Sequence, residues 1–366
     1  MPYGAGFSAG FIRIRICLGN PERASRSSVL PFAPNRRRCS AGIPKSGIPL
    51  ASCFGYSDPV PSSPPVILTI AGFDPSSGAG ITADIKTIAA HESYGIACPT
   101  ALTVQSTQGV RRVEPVAPGI IADSLHELAS DFDINAVHIG MLATAAVVGV
   151  VADFLDKARL PHVVLDPVLR SSCGAELLDA AGTRLLIERL FPLAEVVTPN
   201  LDEAAALAGI PLAGIPSVIR AAASAGTGTP SVAESIESMR EAARCMHVLG
   251  AANVVVTGGH LEKAVDLLSF TTARGVEQEL FKAERQRSTS THGTGCAFAT
   301  ALACHLAHGR GLPEAVLLSK AYISAAIANA QSLGRGTGPL HHLYRMTQPR
   351  RASQPQPERE PAHSRN

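Results

Sequence analysis

The residues best suited to chemistry are Thr291-His292-Gly293-Thr294-Gly295-Cys296, directly ahead of the apolar run Ala297-Phe298-Ala299-Thr300-Ala301-Leu302-Ala303. Two glycines free the backbone to turn, and the alanine-rich run predicts a helix. The first amides of a helix lack internal partners and carry the positive end of its dipole. A glycine turn that opens a helix is therefore a place to hold an anion, phosphate above all. The amides of Gly293, Thr294, Gly295 and Cys296 can form a hole for a phosphoryl group in transfer, a reaction that needs charge stabilisation more than covalent help. Cys296 puts a thiol at the same spot. The helix terminus is expected to lower its pKa, so that it can take the proton of an attacking alcohol. The alternative is a structural thiol at a helix start.

Other polar residues recur where apolar runs end. Gly72-Phe73-Asp74-Pro75-Ser76-Ser77-Gly78-Ala79-Gly80 lies between a strand-like and a helix-like segment. It lacks the Gly-Lys-Ser/Thr ending of a P-loop and the glycine spacing of a dinucleotide fingerprint. It reads as a loop closing on a small ligand or as an ordinary turn. Asp84, between Ile81 and Ile85, can accept hydrogen bonds from a substrate hydroxyl or amine, or simply favour a helix start. Gln105 offers a donor and an acceptor to a heterocycle's edge, unless it is a loop glutamine. Met141, in Gly140-Met141-Leu142, can lie on an aromatic ring or fill a core. Asp166-Pro167-Val168 and Thr198-Pro199-Asn200-Leu201-Asp202-Glu203 bring acids that can hold magnesium directly or through waters. Gly258-Gly259, after Val256-Thr257, would let a nucleotide approach the backbone.

The elements that must position these residues follow an alternating pattern. Apolar, β-branched runs at 66–70, 97–104, 136–139, 162–166, 195–198 and 253–256 predict strands. Helices are expected from about Thr82 to His91, near 143–158 and after residue 296. Buried strands spaced by helices indicate a mostly parallel sheet covered on both faces. The polar residues then fall at its carboxyl edge, where such folds bind ligands.

The 366 residues carry a net charge of +2, unevenly spread: +6 over residues 1–64, −6 over 65–346 and +2 over 347–366. An acidic body argues against nucleic acid as a partner. No apolar run reaches the ~20 residues of a membrane span. Eight cysteines with no C-x-x-C pair fit a reduced, cytoplasmic setting and argue against zinc. Residues 1–64, rich in Pro, Ser, Gly and Arg, are expected to be disordered, as a targeting peptide or the product of an upstream translation start. Residues 65–346 form the domain, 211–231 a loop insertion, and 347–366 a disordered tail.

Taken in order, Thr69-Ile70-Ala71-Gly72-Phe73-Asp74-Pro75-Ser76-Ser77-Gly78-Ala79-Gly80 with Asp84, Gln105 with Thr107, Gly140-Met141-Leu142, Asp166-Pro167-Val168, Thr198-Pro199-Asn200 with Glu203, Gly258-Gly259-His260 and the Gly-Thr-Gly-Cys turn resemble the hydroxymethylpyrimidine/phosphomethylpyrimidine kinases of thiamine biosynthesis. The resemblance implies a three-layer α/β/α ribokinase-like fold. It implies ATP-dependent, magnesium-assisted phosphorylation of 4-amino-5-hydroxymethyl-2-methylpyrimidine and then of its monophosphate. It places Gly72, Ala79, Asp84 and Gln105 on the pyrimidine or its hydroxymethyl group, Met141 and Val168 on the ring, and Asn200, Gly258 and Gly259 on the nucleotide. Asp166 and Glu203 are the metal candidates, and Gly293 to Cys296 the catalytic turn, with Cys296 where related sugar kinases carry an aspartate. A small molecule is the expected partner of a homodimer. One departure is Thr257, where many members carry a lysine. Other readings are a pyridoxine or pyridoxal kinase of the same superfamily and a non-catalytic pyrimidine-binding protein.

Overall fold

A computed structural model describes residues 12–17, 63–171, 174–209, 232–259, 264–286 and 288–347. The expected insertion at 211–231, His260, the tail beyond Thr347, and residues 1–11 and 18–62 of the segment expected to be disordered lie outside the described residues.

The strands are β1 (Ile12–Cys17), β2 (Val66–Phe73), β3 (Tyr94–Ser106), β4 (Gly109–Pro115), β5 (Ile134–Ile139), β6 (Val163–Leu165), β7 (Val196–Val197), β8 (Val254–Gly258), β9 (Ala264–Thr272) and β10 (Gly275–Ala283). The helices are α1 (Gly80–Ala90), α2 (Pro118–Asp131), α3 (Ala145–Ala158), α4 (Ala180–Leu185), α5 (Leu201–Ala208), α6 (Val232–Val248), α7 (Thr294–Ala307), α8 (Leu312–Ala328) and α9 (Tyr344–Thr347). All the strands join one sheet in the order β1-β10-β9-β8-β7-β6-β5-β2-β3-β4. The pairs from β3 through β2, β5, β6 and β7 to β8 are parallel, as expected. Antiparallel strands extend both ends.

The two-residue period of each strand divides the core. Leu68, Ile70, Val137 and Ile139 face a layer built by α2, α3, α5 and α6. Ile67, Ala136, Val164 and Val255 face the layer of α1, α7 and α8. Neither layer of helices can bury its apolar stripe except against this sheet, so the three-layer arrangement follows. From β2 the chain goes out to β3 and β4 on one side, then crosses to β5 on the other. That reversal opens a crevice at the carboxyl ends of β2 and β5.

Two features depart from the sequence reading. Ile12–Cys17 forms an edge strand on β10, with Arg15 in register opposite Glu279 and Arg13 opposite Phe281. The basic composition of residues 1–64 had hidden the strict alternation Ile-Arg-Ile-Arg-Ile, which carries a strand's period. The β9–β10 hairpin, turning at Ala273-Arg274, is also absent from that reading. Its Glu277, Gln278 and Glu279 break the apolar run but are buried in the sheet.

Candidate active site

The carboxyl ends of β2, β5, β6, β7 and β8 open into one cavity of about 1150 Å³. Thirteen of the fifteen residues expected at the site line it: Gly72, Ala79, Gln105, Met141, Asp166, Val168, Asn200, Glu203, Gly259 and the turn Gly293, Thr294, Gly295 and Cys296.

Two helices begin on this cavity without a side-chain cap. For α1 the N-cap is Ala79, and for α7 it is Gly293. Thr144, Asp179 and Asn200 cap α3, α4 and α5 in the ordinary way, while α2 and α8, which start away from the cavity, open on a proline turn with no side-chain cap. The open amide ends of α1 and α7 thus meet near Cys296, whose thiol lies close to the Gly80 amide and the Asp166 carboxylate. Glycine is required where the first loop closes on itself and where the second loop touches it. At Gly80 (φ +57°) a Cβ would fall on the Gly72 carbonyl, and at Gly293 (φ +82°) on the Gly78 carbonyl.

Asp74 holds the first loop in shape. Its carboxylate accepts from Ser76 N at 2.8 Å, Ser76 Oγ at 2.7 Å, Gly78 N at 3.2 Å and Ala79 N at 2.9 Å. His292 Nε2 stands 3.0 Å from the same group and 3.2 Å from the Gln105 amide, so it clasps the two loops and β3 together. Burial would raise the Asp74 pKa, but these hydrogen bonds, His292's first, hold it below its ordinary value. Sequence reading assigned neither residue a role. Both lay inside the quoted motifs, but their spacing of 218 residues gave no sign of contact.

The thiol corrects an expectation. The Cys296 pKa is raised well above the ordinary value, chiefly by burial and then by the charges of Asp166 and Asp84. Burial first, and the two carboxylates after it, work against the thiolate, so the thiol keeps its proton at neutral pH.

Asp84 is a second correction. It does not line the cavity; it is fully buried, accepting hydrogen bonds from Thr69 Oγ1 at 2.7 Å and Thr300 Oγ1 at 2.9 Å. As the fifth residue of α1 it sits one helical turn beneath the floor, out of a ligand's reach. Gly258 is a third. Its N–H donates to Asp266 Oδ1 at 3.0 Å inside the sheet, and only Gly259 reaches the cavity.

Asp266 also accepts from Lys320 Nζ at 2.7 Å. Lys320 lines the cavity beside Thr257, the register partner of Asp266. A lysine is therefore present at this wall after all, delivered by α8. The signal was a lone lysine in an apolar helix, which must find a partner if buried.

Asn200 and Glu203 form a capping box, with Asn200 Oδ1 accepting from Glu203 N at 2.8 Å and Glu203 Oε2 from Asn200 N at 3.0 Å. Burial and the Asp166 charge push Glu203 up to about 8. Asp166 itself is raised to about 6, chiefly by burial. Burial disfavours the charge on both carboxylates and the Asp166 charge adds to it at Glu203, so a divalent cation with its own waters and phosphate ligands would suit the pair.

Beyond these contacts stand the comparisons with known proteins. The profile of the phosphomethylpyrimidine kinase family matches residues 74–341. The chain belongs to that family. It is 42% identical over 296 residues to the thiamine biosynthesis bifunctional protein ThiED of Geobacter sulfurreducens, covering 80% of this chain and 55% of that protein. This kinase thus spans about half the length of its bifunctional relative. It is 38% identical over 279 residues to the hydroxymethylpyrimidine/phosphomethylpyrimidine kinase of Salmonella typhimurium, covering 76% of this chain and 97% of that enzyme. Among solved structures, a Bacillus subtilis pyridoxal kinase in complex with ADP superposes with a TM-score of 0.64 at 32% identity, covering 78% of this chain and 99% of that one. The ribokinase-like fold expected from the sequence is therefore found. No described helix is long and apolar enough to cross a membrane.

Proposed function

We propose that this kinase transfers the γ-phosphoryl group of ATP to 4-amino-5-hydroxymethyl-2-methylpyrimidine and then phosphorylates the monophosphate, in the service of thiamine biosynthesis. The observation that carries the reading is the meeting of two uncapped helix ends at Cys296, in a cavity whose other wall is Gly72, Met141, Val168 and Gln105. The apolar side chains suit a flat ring, and the Gln105 amide suits its polar edge. The amides of α1 and α7 suit the charge that gathers on the phosphoryl oxygens.

ATP enters by way of Gly259 and the Asn200 amide, with Lys320 near its phosphates. Its use finds support in the ADP-bound relative. Asp166 and Glu203 would hold magnesium, which when bound neutralises the phosphate oxygens. The protonated thiol then serves as a hydrogen-bonding group at the point of attack and not as a resting base; the hydroxyl's proton passes to the oxygens of the transferred phosphoryl group as its bond to ADP breaks. Most of the rate comes from positioning and from the amide hole.

The test is an ATP-consumption assay with the hydroxymethylpyrimidine, with product masses read for one and two added phosphates. Pyridoxal runs in parallel, because the structural relative acts on it. A large preference for pyridoxal overturns the substrate assignment, and pyrimidine binding without turnover overturns the reaction.

A further inference from the structure

Beneath the cavity floor lies a polar cluster with no ligand of its own. Thr69, Asp84, His138 and Thr300 are all completely buried. Asp84 accepts from the two threonine hydroxyls, at 2.7 Å and 2.9 Å. His138 Nδ1 lies 3.3 Å from Thr69 Oγ1, 3.2 Å from Thr300 Oγ1 and 3.4 Å from Asp84 Oδ2.

The proton count can be completed. Each threonine has one hydroxyl proton, and both are given to Asp84. His138 Nδ1 therefore faces only acceptors, so it must carry a proton itself, while Nε2 is buried with no hydrogen-bond partner among the described residues. Burial opposes an imidazolium there, but the Asp84 carboxylate, helped by the charge of Asp166, outweighs it and raises the His138 pKa. A buried carboxylate without this partner would cost several kcal/mol.

The position of the cluster gives it a use. Each member sits close behind a residue of the site. Asp84 follows Gly80 by one turn of α1, and Thr300 follows Cys296 by one turn of α7. Thr69 precedes Gly72 on β2, and His138 precedes Gly140-Met141 on β5. A helical threonine ordinarily bonds back to its own preceding turn. Thr300 instead reaches across to α1, so one carboxylate bolts together the two helices whose ends flank the thiol.

We propose that Asp84 and His138 are positioning residues for phosphoryl transfer, holding the N-termini of α1 and α7 at the spacing that lets Gly80 and the Gly293–Cys296 turn act on one phosphoryl group. The inference rests on the reading of this cavity as a phosphoryl-transfer site. It assigns the cluster an effect on kcat and none on recognition of the pyrimidine, since none of its members lines the cavity.

The experiment compares Asp84→Asn, Thr300→Val, His138→Gln and His138→Lys in the full chain, at a temperature where circular dichroism shows each folded. Expected are a fall in kcat of about a hundredfold for Asp84→Asn and about tenfold for Thr300→Val, with the pyrimidine KM within threefold of wild type. His138→Gln should lose more than tenfold, and His138→Lys, which restores a cation, should stay within fivefold. Should Asp84→Asn fail to fold, Thr300→Val removes one bond at nearly constant shape and decides the matter. Nitrogen NMR of labelled histidine should show His138 protonated at Nδ1, a signal that needs no substrate. Wild-type kcat in the folded variants, losses confined to KM, or an unprotonated Nδ1 would overturn the proposal. Absence of kinase activity in the wild type would instead sink the functional reading and leave the NMR result standing.

Discussion

Substituting Gly293 by alanine tests the meeting of the two loops directly. The backbone there has φ +82°, a region that costs an L-residue about 1–2 kcal/mol. The new Cβ would stand 2.9 Å from the Gly78 carbonyl carbon and closer still to its oxygen. Carbon atoms in ordinary contact are ~3.5–4.0 Å apart, so the first loop must retreat by about 1 Å. That loop carries Gly80, whose amide lies close to the Cys296 thiol, and Asp74, which clasps His292. A displacement of about 1 Å costs about a hundredfold in rate, or roughly 2.7 kcal/mol of transition-state stabilisation. Gly309→Ala supplies the control. Its φ of +76° gives the same strain, yet nothing lies within 4 Å of the added Cβ. Both variants should lose a few degrees of melting temperature, and only Gly293→Ala should lose kcat. Steady-state kinetics beside thermal melts read both effects. A folded Gly293→Ala enzyme with kcat within threefold of wild type would refute the claim that these loops must stay in register.

Three further outcomes are expected. Because Cys296 keeps its proton, iodoacetamide should alkylate it more slowly than glutathione near pH 7 and faster as pH rises; rapid labelling at neutral pH would restore the thiolate. Cys296→Ala should cut kcat about ten- to a hundredfold with little change in substrate binding, which isothermal calorimetry can separate from turnover. Burial lowers His91 to about 4, His305 to about 3 and His342 to about 4. Each is neutral in the fold, so its contribution is complete above the ordinary value of 6.5 and is lost as pH falls from there toward the folded pKa. The loss is up to about 1.4 kcal/mol per pH unit per residue. Urea midpoints should therefore drop steeply between pH 6.5 and 4, and a flat profile would show that these rings are hydrated. His138, raised in the fold, works the other way, its contribution being lost as pH rises through its folded value.

The sequence by itself determined the sheet's parallel core and the sites at its edge. Runs such as Val66-Ile67-Leu68-Thr69-Ile70 are apolar on both faces because helices cover both, and a helix start behind Gly-Thr-Gly-Cys is a local matter of glycine and alanine. The local pattern also placed Gly72, Gln105, Met141, Asp166 and Asn200 at strand ends, which is where they stand. Tertiary structure decided which polar residues face the ligand. Asp84 and Gly258 have the right types and neighbours, but a helical turn and a strand register direct them inward, to Thr69, Thr300 and Asp266. It also decided the charge state of Cys296. A helix end alone lowers a thiol's pKa, whereas burial, and after it the charges of Asp166 and Asp84, 130 and 212 positions away in the chain, raise it. Local sequence fixes what falls within a few residues. The sum of charges and contacts at one point in space is set by segments that meet only when the chain has folded, and Lys320 beside Thr257 and His292 on Asp74 arise in the same way.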